Sequence, residues 1–327
     1  MRMVCGHRCW HSACALGISL LLLGATAHAN VPRYPLTTDS LPAADAPRGR
    51  LEGPLEFHSQ IYPGTVRRYW IFVPAQYRDD QPASLLVFQD GQRATNPEGS
   101  LRIPTVLENL IHQGDLPVTI GLFITPGHRA ERYPDDLAMG NPDHRAQEYD
   151  ALDDRYARML IDELLPLVRR RYRISDDPAQ HAIGGTSSGA ICAFTVAWHR
   201  PEVFGKVISM IGSYVSIGYQ PATGERPLRP GGDLYPTLIR KSPIRPLRIF
   251  LQDGSNDLDN EHGHWFLANQ QMLAALHWAN ANADRLGMPG PRYQVRHVWG
   301  EGAHSDEHGG ALLPDILRWL WSEEGTE

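Results

Sequence analysis

The segment Gly185–Gly189 has the pattern Gly-x-Ser-x-Gly, with Ser187 at its centre, between an apolar stretch typical of a strand and a pattern typical of a helix. A serine on a sharp turn from strand to helix adopts a strained backbone. The residues two before and two after it must be tiny so that strand and helix can approach each other. Ser187 has glycine at both positions, whereas Ser188 has glycine at neither. The pattern predicts that Ser187 is a nucleophile; the alternative is a glycine turn capped by serine.

A nucleophilic serine needs a base, and the base needs an acid that fixes its tautomer. When the serine lies on a strand-to-helix turn, the order along the chain is serine, acid, histidine. Asp257 follows an apolar strand pattern that begins at Arg248, after an expected turn at Gly254, and is the predicted acid. Asp253, expected at the strand end, and Asp259, further into the loop, are the alternatives.

The base must be one of the histidines that follow this acid in the chain. His304 lies in a loop of small residues, Gly300–Ser305, directly after the last predicted strand. From there an imidazole can reach back across the edge of a sheet to the serine. We therefore predict that His304 is the base, with His308 as the alternative.

Acyl transfer also needs two preorganised N–H donors for the oxyanion, and losing one such donor typically costs ~3 kcal/mol. The backbone N–H of Ser188, at the start of the helix, is predicted as one of them. The second is expected from the loop Phe88–Arg93, after the third predicted strand, near Gln92.

A cluster of acids and histidines around the predicted acid is also compatible with a metal site; it consists of Asp253, Asp257, Asp259, Glu261, His262 and His264. These acids lack the twelve-residue calcium-loop pattern, and His-x-His alone is a weak ligand signal. We predict no metal and no cofactor. Cys192 lies in an apolar run, and we predict a small buried hydrophobic residue rather than a reactive thiol.

The first 29 residues resemble a secretory signal peptide. Arg2 and Arg8 precede an apolar run over residues 13–25, and the small residues Ala27 and Ala29 precede Asn30. The run is short of the ~20 residues needed to span a bilayer, so no membrane anchor is expected after cleavage before Asn30. The sequence predicts a periplasmic or secreted protein. Residues 30–53, rich in proline and in small or charged residues, are predicted to form an extended leader.

Composition narrows the class of protein. Of 327 residues, 42% are hydrophobic and 21% charged, and 30 Gly and 26 Pro occur without a repeat period. These values exclude collagen-like, coiled-coil and disordered chains. Removing residues 1–29 takes away two arginines and no acids, so the net charge becomes 29 − 37 = −8. A protein this acidic is not expected to bind nucleic acid.

The predicted elements alternate between strands and helices in one domain, residues 54–327. Strand patterns come first without an intervening helix, which predicts an antiparallel start, and the later alternation predicts a mainly parallel sheet with helices on both faces. The predicted strands are 55–62, 66–73, 84–88, 117–124, 181–183, 206–211, 247–251 and 293–299. The predicted helices are 105–112, 151–171, 188–199, 265–282 and 311–321, with a Pro/Gly-rich insertion at 212–246.

These motifs resemble the enterochelin esterase-like branch of the α/β-hydrolases, which also covers carbohydrate esterases of the feruloyl and acetylxylan type. The resemblance is carried by Val87–Gln92, Glu163–Pro166, the turn at Ser187, Phe250–Asp257 and Gly302–His304. It implies an α/β-hydrolase fold and agrees with Ser187 as nucleophile, His304 as base and Asp257 as acid. Ala303 stands where this family often has glycine, and some members have glutamate in place of Asp257.

The function expected from this resemblance is an exported serine esterase that hydrolyses carboxylic esters through an acyl-enzyme. Its substrate would be a siderophore lactone or a feruloyl or acetyl ester of a carbohydrate. The segment His128–Tyr149, with Arg129, Arg132 and Arg145, is interpreted either as a pocket wall suited to acidic or phenolic groups or as a solvated loop. The alternatives are a non-catalytic binding module on the same fold and an acyltransferase of the mycolyltransferase type.

Overall fold

The structure is a computed structural model, and it describes residues 33–322 of the chain. The predicted signal peptide, its cleavage site and the first residues of the predicted leader lie outside these residues. Among the described residues, no helix has both the length and the apolar character needed to cross a membrane.

A single large sheet organises the described residues. Its eight strands are β1 Arg50–His58, β2 Val66–Val73, β3 Ser84–Gln89, β4 Thr119–Ile124, β5 His181–Thr186, β6 Lys206–Met210, β7 Arg248–Asn256 and β10 Gln294–Ala303. They lie in the order β1-β2-β4-β3-β5-β6-β7-β10. β1 pairs antiparallel with β2 and β2 antiparallel with β4, and every later pairing is parallel. The predicted sheet, mostly parallel with an antiparallel start, is confirmed. A separate small hairpin consists of β8 Asp259–Asn260 and β9 Gly263–His264.

Helices cover both faces of this sheet. Successive residues of a strand point to opposite faces, so Leu85 and Val87 of β3 join one apolar core while Leu86 and Phe88 join the other. The helices are α1 Gly91–Ala94, α2 Ile103–Gln113, α3 Arg145–Tyr149, α4 Arg155–Arg158, α5 Leu165–Arg169, α6 Ser188–His199, α7 Tyr235–Lys241, α8 Trp265–Arg285 and α9 Asp306–Trp321. α2 and α9 pack on one face, and α5, α6, α7 and α8 on the other.

The central helix α6 follows directly from its sequence. It is apolar around nearly its whole circumference and is buried from Ser188 to Trp198. Such a helix belongs inside a layered protein rather than at its surface. Cys192 lies in this buried run, as predicted, and is a free thiol.

The structure differs from the predictions at several element boundaries. The first strand is Arg50–His58, not 55–62, so the last four residues of the predicted leader belong to the sheet. The helix predicted from residue 151 is interrupted by a π-helical segment, Met159–Leu164, between α4 and α5. The insertion at 212–246 contains α7. β7 continues to Asn256, so no turn interrupts the strand at Gly254.

The remaining described part of the leader packs on α2 and α9. The side-chain amide of Asn109 donates to the carbonyl oxygens of Asp39 and Leu41 at 2.8 and 2.7 Å. Arg318 of α9 pairs with the Asp39 carboxylate at 2.8 Å. This part of the leader therefore lies against the folded domain.

A buried ion pair ties β2 to the segment that carries α3. Arg67 and Glu148 have fully buried side chains, and both guanidinium NH groups of Arg67 donate to the Glu148 carboxylate at 3.1 Å. The same carboxylate accepts from the N–H of Gly127 at 3.1 Å. The loop that leads to α3 is fixed at the sheet by these contacts.

Candidate active site

Ser187 lies on the turn between β5 and α6. Its backbone has φ 58° and ψ −124°, a left-handed conformation that a side chain other than glycine rarely adopts. A Cβ at Gly185 would lie 2.4 Å from the backbone of Gly189, so glycine is required for this close approach. The N–H of Ser187 donates to the carbonyl oxygen of Met210 at 3.0 Å, which holds the strained residue against β6.

His304 connects Ser187 to Asp257 through two hydrogen bonds. Its Nε2 lies 2.8 Å from the Ser187 Oγ, and its Nδ1 lies 2.5 Å from Oδ1 of Asp257. Because the carboxylate accepts the Nδ1 proton, Nε2 is left free to accept the hydroxyl proton of the serine. The structure thus brings the three predicted residues into one hydrogen-bonded row.

Two strand ends position the acid and the imidazole. Asp257 follows β7 and His304 follows β10, and these strands are parallel neighbours. A Cβ at Gly254 would lie 2.2 Å from the carbonyl oxygen of Gly302, where the register of the pair shifts. The close contact of the two glycines lets the strand ends converge. Oδ1 of Asp257 also accepts from the N–H of Leu258 at 2.6 Å.

Asp253, the alternative acid, lies beside Asp257 rather than beside the imidazole. Its side chain is fully buried in β7 and is in hydrogen-bonding contact with that of Asp257. It accepts from the N–H of Gly254 and from Nδ2 of Asn269, both at 2.6 Å. Burial and the neighbouring Asp257 carboxylate raise the pKa of Asp253 to about 9. Asp253 is therefore protonated at neutral pH.

Asp259 and His308 do not contact Ser187. Asp259 is exposed in the β8–β9 hairpin. His308 is buried in α9, where its Nδ1 pairs with the side chain of Gln252 at 2.8 Å and its ring stacks on Tyr34. Within residues 33–322, no group of histidine, cysteine, aspartate or glutamate side chains is arranged to hold a metal ion.

Ser213 is a neighbour of the nucleophile position that the sequence pattern did not reveal. Its Oγ lies 3.1 Å from the Ser187 Oγ and 3.1 Å from the indole nitrogen of Trp265. Trp265 begins α8 and also lies edge-on to the His304 ring, with the ring centroids 5.7 Å apart. The one sequence signal for Ser213 is its position three residues after the end of β6, which places it near the carboxyl ends of the parallel strands.

The two predicted oxyanion donors lie at the starts of neighbouring helices. Ser188 is the first residue of α6 and Gln92 the second residue of α1, so the N–H of each belongs to a first turn, where no helical carbonyl accepts it. α1 follows β3 and α6 follows β5, and these strands are parallel neighbours. A Cβ at Gly189 would lie 3.1 Å from the Cβ of Gln89, so the two turns are in contact.

A cavity of about 390 Å³ opens above the serine; it is lined by Arg93, Asn141, Arg145, Ser187, Ile211, His304, Ser305 and Asp306. Of the predicted wall 128–149, Arg145 reaches this cavity, whereas Arg129 and Arg132 are not among its lining residues. Arg145 donates twice to the buried carboxylate of Asp90, at 3.0 and 2.8 Å. Burial opposes the charge on Asp90, but Arg145 and Arg93 outweigh it and lower the pKa of this carboxyl.

Arg93 is a cavity residue that the sequence pattern did not single out. It donates to the Thr186 hydroxyl at 2.5 Å and lies 3.5 Å from the Asp306 carboxylate. With Arg145 it gives the cavity two guanidinium groups. Their side chains are held in place before any ligand binds.

A largely parallel sheet with a serine on a strained turn after a central strand, and an acid and a histidine after two later strands, is the architecture of an α/β-hydrolase. The sequence profile of the Esterase family matches residues 62–305 of the chain. The protein belongs to this family, and the resemblance to enterochelin esterase-like α/β-hydrolases is confirmed.

Individual relatives support the same assignment. The chain is 29% identical over 217 residues to the iron(III) enterobactin esterase of Dickeya dadantii, covering 64% of this chain and 44% of that protein. The enterobactin esterase of Shigella flexneri, solved in the presence of 2,3-dihydroxy-N-benzoyl-serine, superposes with a TM-score of 0.62 at 25% identity, over 88% of this chain and 63% of that one. The match covers between 32% and 57% of the length of the curated relatives.

The fold is also similar to that of a carbohydrate esterase. A CE1 ferulic acid esterase from Anaeromyces mucronatus superposes with a TM-score of 0.56 at 16% identity, over 83% of this chain and 90% of that one. At this identity the likeness concerns the fold alone.

Proposed function

We propose that the protein is an exported serine esterase that hydrolyses carboxylic esters through an acyl-enzyme. The observation that carries this proposal is the row of hydrogen bonds from Asp257 through His304 to Ser187, which ends in an open cavity. Nucleophile, base and orienting acid in this order supply what ester hydrolysis requires. Membership of the Esterase family supports the same reaction.

In the first half of the proposed reaction, the Oγ of Ser187 attacks the ester carbonyl carbon while Nε2 of His304 takes the hydroxyl proton. The negative charge moves to the carbonyl oxygen, where the N–H groups of Ser188 and Gln92 stabilise it. The tetrahedral intermediate then collapses, and the imidazolium returns the proton to the leaving alcohol. Asp257 stabilises the imidazolium without itself accepting the proton.

In the second half, His304 removes a proton from water, and the hydroxide attacks the acyl carbon bound to Ser187. Collapse of this intermediate breaks the acyl–Oγ bond, and the imidazolium reprotonates the serine. The products are a carboxylic acid and an alcohol, and the cycle uses no cofactor.

The substrate we propose is a small-molecule or carbohydrate ester, namely a siderophore lactone or a feruloyl or acetyl ester of a sugar, and the cavity favours those of them that carry an acidic or phenolic group. Arg93 and Arg145 line the cavity beside Ser187, and guanidinium groups bind carboxylates and phenolates through charge-assisted hydrogen bonds. The names of the relatives, enterobactin esterase and ferulic acid esterase, indicate substrates of this kind for those proteins.

Export is the part of the proposal that rests on the sequence of residues 1–29. We propose that they direct the chain across the inner membrane and are removed before Asn30, which leaves a periplasmic or secreted enzyme. Cell fractionation and the N-terminal sequence of the recovered protein test this directly. A protein recovered from the cytoplasm with Met1 intact would contradict export and leave the proposed chemistry untouched.

A fluorophosphonate probe tests the nucleophile, with Ser187→Ala compared with Ser188→Ala. The adjacent variant is a matched control, because it loses one hydroxyl but keeps the backbone N–H of Ser188. We expect the wild type and Ser188→Ala to be labelled and Ser187→Ala to remain unlabelled. If the folded wild type is not labelled, the protein is a binding module on a hydrolase fold.

Substrate choice requires a panel of a catecholate lactone, a feruloyl sugar and an acetylated sugar. We expect the sugar esters to give free acid and alcohol in equal amounts and the lactone to give the ring-opened hydroxy acid. If added acceptor sugars receive the acyl group in preference to water, the protein is an acyltransferase.

A further inference from the structure

A second cavity, of about 740 Å³, lies at the opposite end of the sheet from Ser187. Its walls include the residues at which parallel strands begin: Lys206 of β6, Arg248 of β7 and Gln294 of β10. Ser187 and His304 follow strands at the other end. This amino-terminal cavity is therefore separate from the proposed esterase site, and its volume is in the range of cavities that hold small organic ligands.

Lys206 is the unusual residue of the amino-terminal cavity. The chain has 31 basic residues, and only Lys206 and Lys241 among them are lysines. Lys206 is 8% exposed, and its Nζ lies 4.6 Å from the centre of the Trp321 ring. Among residues 33–322, no carboxylate lies within ion-pair distance of this ammonium.

Burial and the positive charge of Arg248 lower the pKa of Lys206 to about 8, against a weaker opposite effect of Asp177. A lysine ammonium that is largely withdrawn from water without a carboxylate partner is energetically unfavourable. An anion bound in the cavity would supply the missing charge.

The walls of the amino-terminal cavity specify the rest of such a ligand. They contain no aspartate or glutamate, whereas Lys206, Arg248 and Arg292 are cationic. Several prolines and the Trp321 ring form apolar, flat surfaces. The indole N–H of Trp321 is buried and has no hydrogen-bond acceptor among the described residues, so it is a second unused donor beside the lysine.

We propose that the amino-terminal cavity is a binding site for a small organic anion, a carboxylate on a flat apolar body. The ammonium of Lys206 pairs with the carboxylate, and the apolar body lies against Trp321 and the neighbouring prolines. The site acts independently of the reaction proposed at Ser187.

Benzoate is a suitable probe, and benzamide is its neutral counterpart of the same shape. The two lysines can be labelled by reductive methylation with ¹³C-formaldehyde, which keeps their positive charge, and assigned with Lys206→Arg and Lys241→Arg. We expect benzoate to shift the Lys206 methyl signal saturably and benzamide to leave it unchanged. Lys241, exposed at the end of α7, is the internal control and should not respond.

Calorimetry with unlabelled protein provides the second measurement. Lys206→Gln should weaken benzoate binding by about tenfold or more, the equivalent of at least ~1.4 kcal/mol, while ester hydrolysis stays at the wild-type rate. The proposal is overturned if benzoate gives no saturable shift, if both lysines respond alike, or if Lys206→Gln binds benzoate like the wild type. It is also overturned if benzoate binds only after residues 323–327 are deleted, because their glutamates would then be the natural partner.

Discussion

Replacing Asp253 by asparagine should make the stability of the protein less dependent on pH. Burial and the Asp257 carboxylate raise the pKa of Asp253 from its ordinary value of 3.8 to about 9. Between about pH 5 and pH 8 Asp253 therefore holds a proton in the folded protein that it has released in the unfolded chain. Because the native state binds more protons, the free energy of unfolding falls as the pH rises through this window.

The size of this change in the free energy of unfolding follows from the one proton by which the folded and unfolded states differ. One proton corresponds to about 1.4 kcal/mol per pH unit, or about 4 kcal/mol between pH 5 and pH 8. In Asp253→Asn this pH-dependent contribution to the free energy of unfolding is absent, because asparagine does not titrate. The variant also loses a carboxylate acceptor for the Nδ2 group of Asn269. This group still donates to the carbonyl oxygens of Gly212 and Trp265, at 2.9 and 3.1 Å. That loss shifts the free energy of unfolding by an amount that does not depend on pH.

Urea unfolding followed by circular dichroism, at several pH values between about 5 and 8, measures the effect. We expect the stability of Asp253→Asn relative to the wild type to increase steadily with pH. Asp259→Asn, an exposed aspartate in the β8–β9 hairpin, is the control and should follow the wild type. Parallel curves for the wild type and Asp253→Asn would show that Asp253 is ionised in the folded protein, and the reasoning would be refuted.

Three further substitutions test other parts of the structure. Arg67→Met should lower the free energy of unfolding by about 3–5 kcal/mol in urea unfolding, because it leaves the buried Glu148 carboxylate without its guanidinium partner. Arg78→Met, in an exposed pair, is the control and should have little effect; equal losses would contradict the role of burial. Gly185→Ala should lower the free energy of unfolding by about 1–3 kcal/mol or more, because the added Cβ would lie 2.4 Å from the backbone of Gly189. Gly224→Ala, with open space around the added Cβ, is the control and should be nearly neutral in the same assay. Asp257→Asn should lower kcat about 10⁴-fold with little change in KM, measured with a chromogenic ester, and an unimpaired variant would exclude it as the orienting acid.

Elements with strong local signals could be predicted closely from the sequence. The bounds predicted for β2 and α6, 66–73 and 188–199, are those of the structure. β2 is bounded by turn residues and is apolar from Tyr69 to Val73. α6 is an apolar run that ends shortly before Pro201. In both cases the chain itself marks the start and the end.

Elements that depend on packing could not be predicted in the same way. The π-helical segment Met159–Leu164 adds a residue to the turn, which an apolar stripe at every fourth position does not reveal. α7 has only seven residues in a segment rich in proline and glycine. β1 has a bulge between Glu52 and Leu55, and it continues on the amino-terminal side of this bulge to Arg50, outside its predicted range.

Some features of the candidate site could likewise be predicted from the sequence, and others could not. The turn chemistry around Ser187 and the order of the later acid and histidine were sufficient to predict which residues meet, although their catalytic roles remain predictions. The contacts of Ser213 and the protonation of Asp253 were not predictable. The contact of Ser213 depends on Trp265, which lies 52 residues later in the chain, at the start of α8. The raised pKa of Asp253 depends on its burial in the folded protein and on the neighbouring Asp257 carboxylate.

β10 is an edge strand of the described sheet, and this position predicts how the protein loses activity in denaturant. The chain beyond its last residue, Ala303, carries the imidazole, and β10 is paired along one side only, with β7. Border strands open at lower free energy than central ones, because fewer contacts must break. Mild denaturant should therefore detach His304 from Ser187 while the interior strands stay paired, so that catalytic capacity disappears before the secondary structure does.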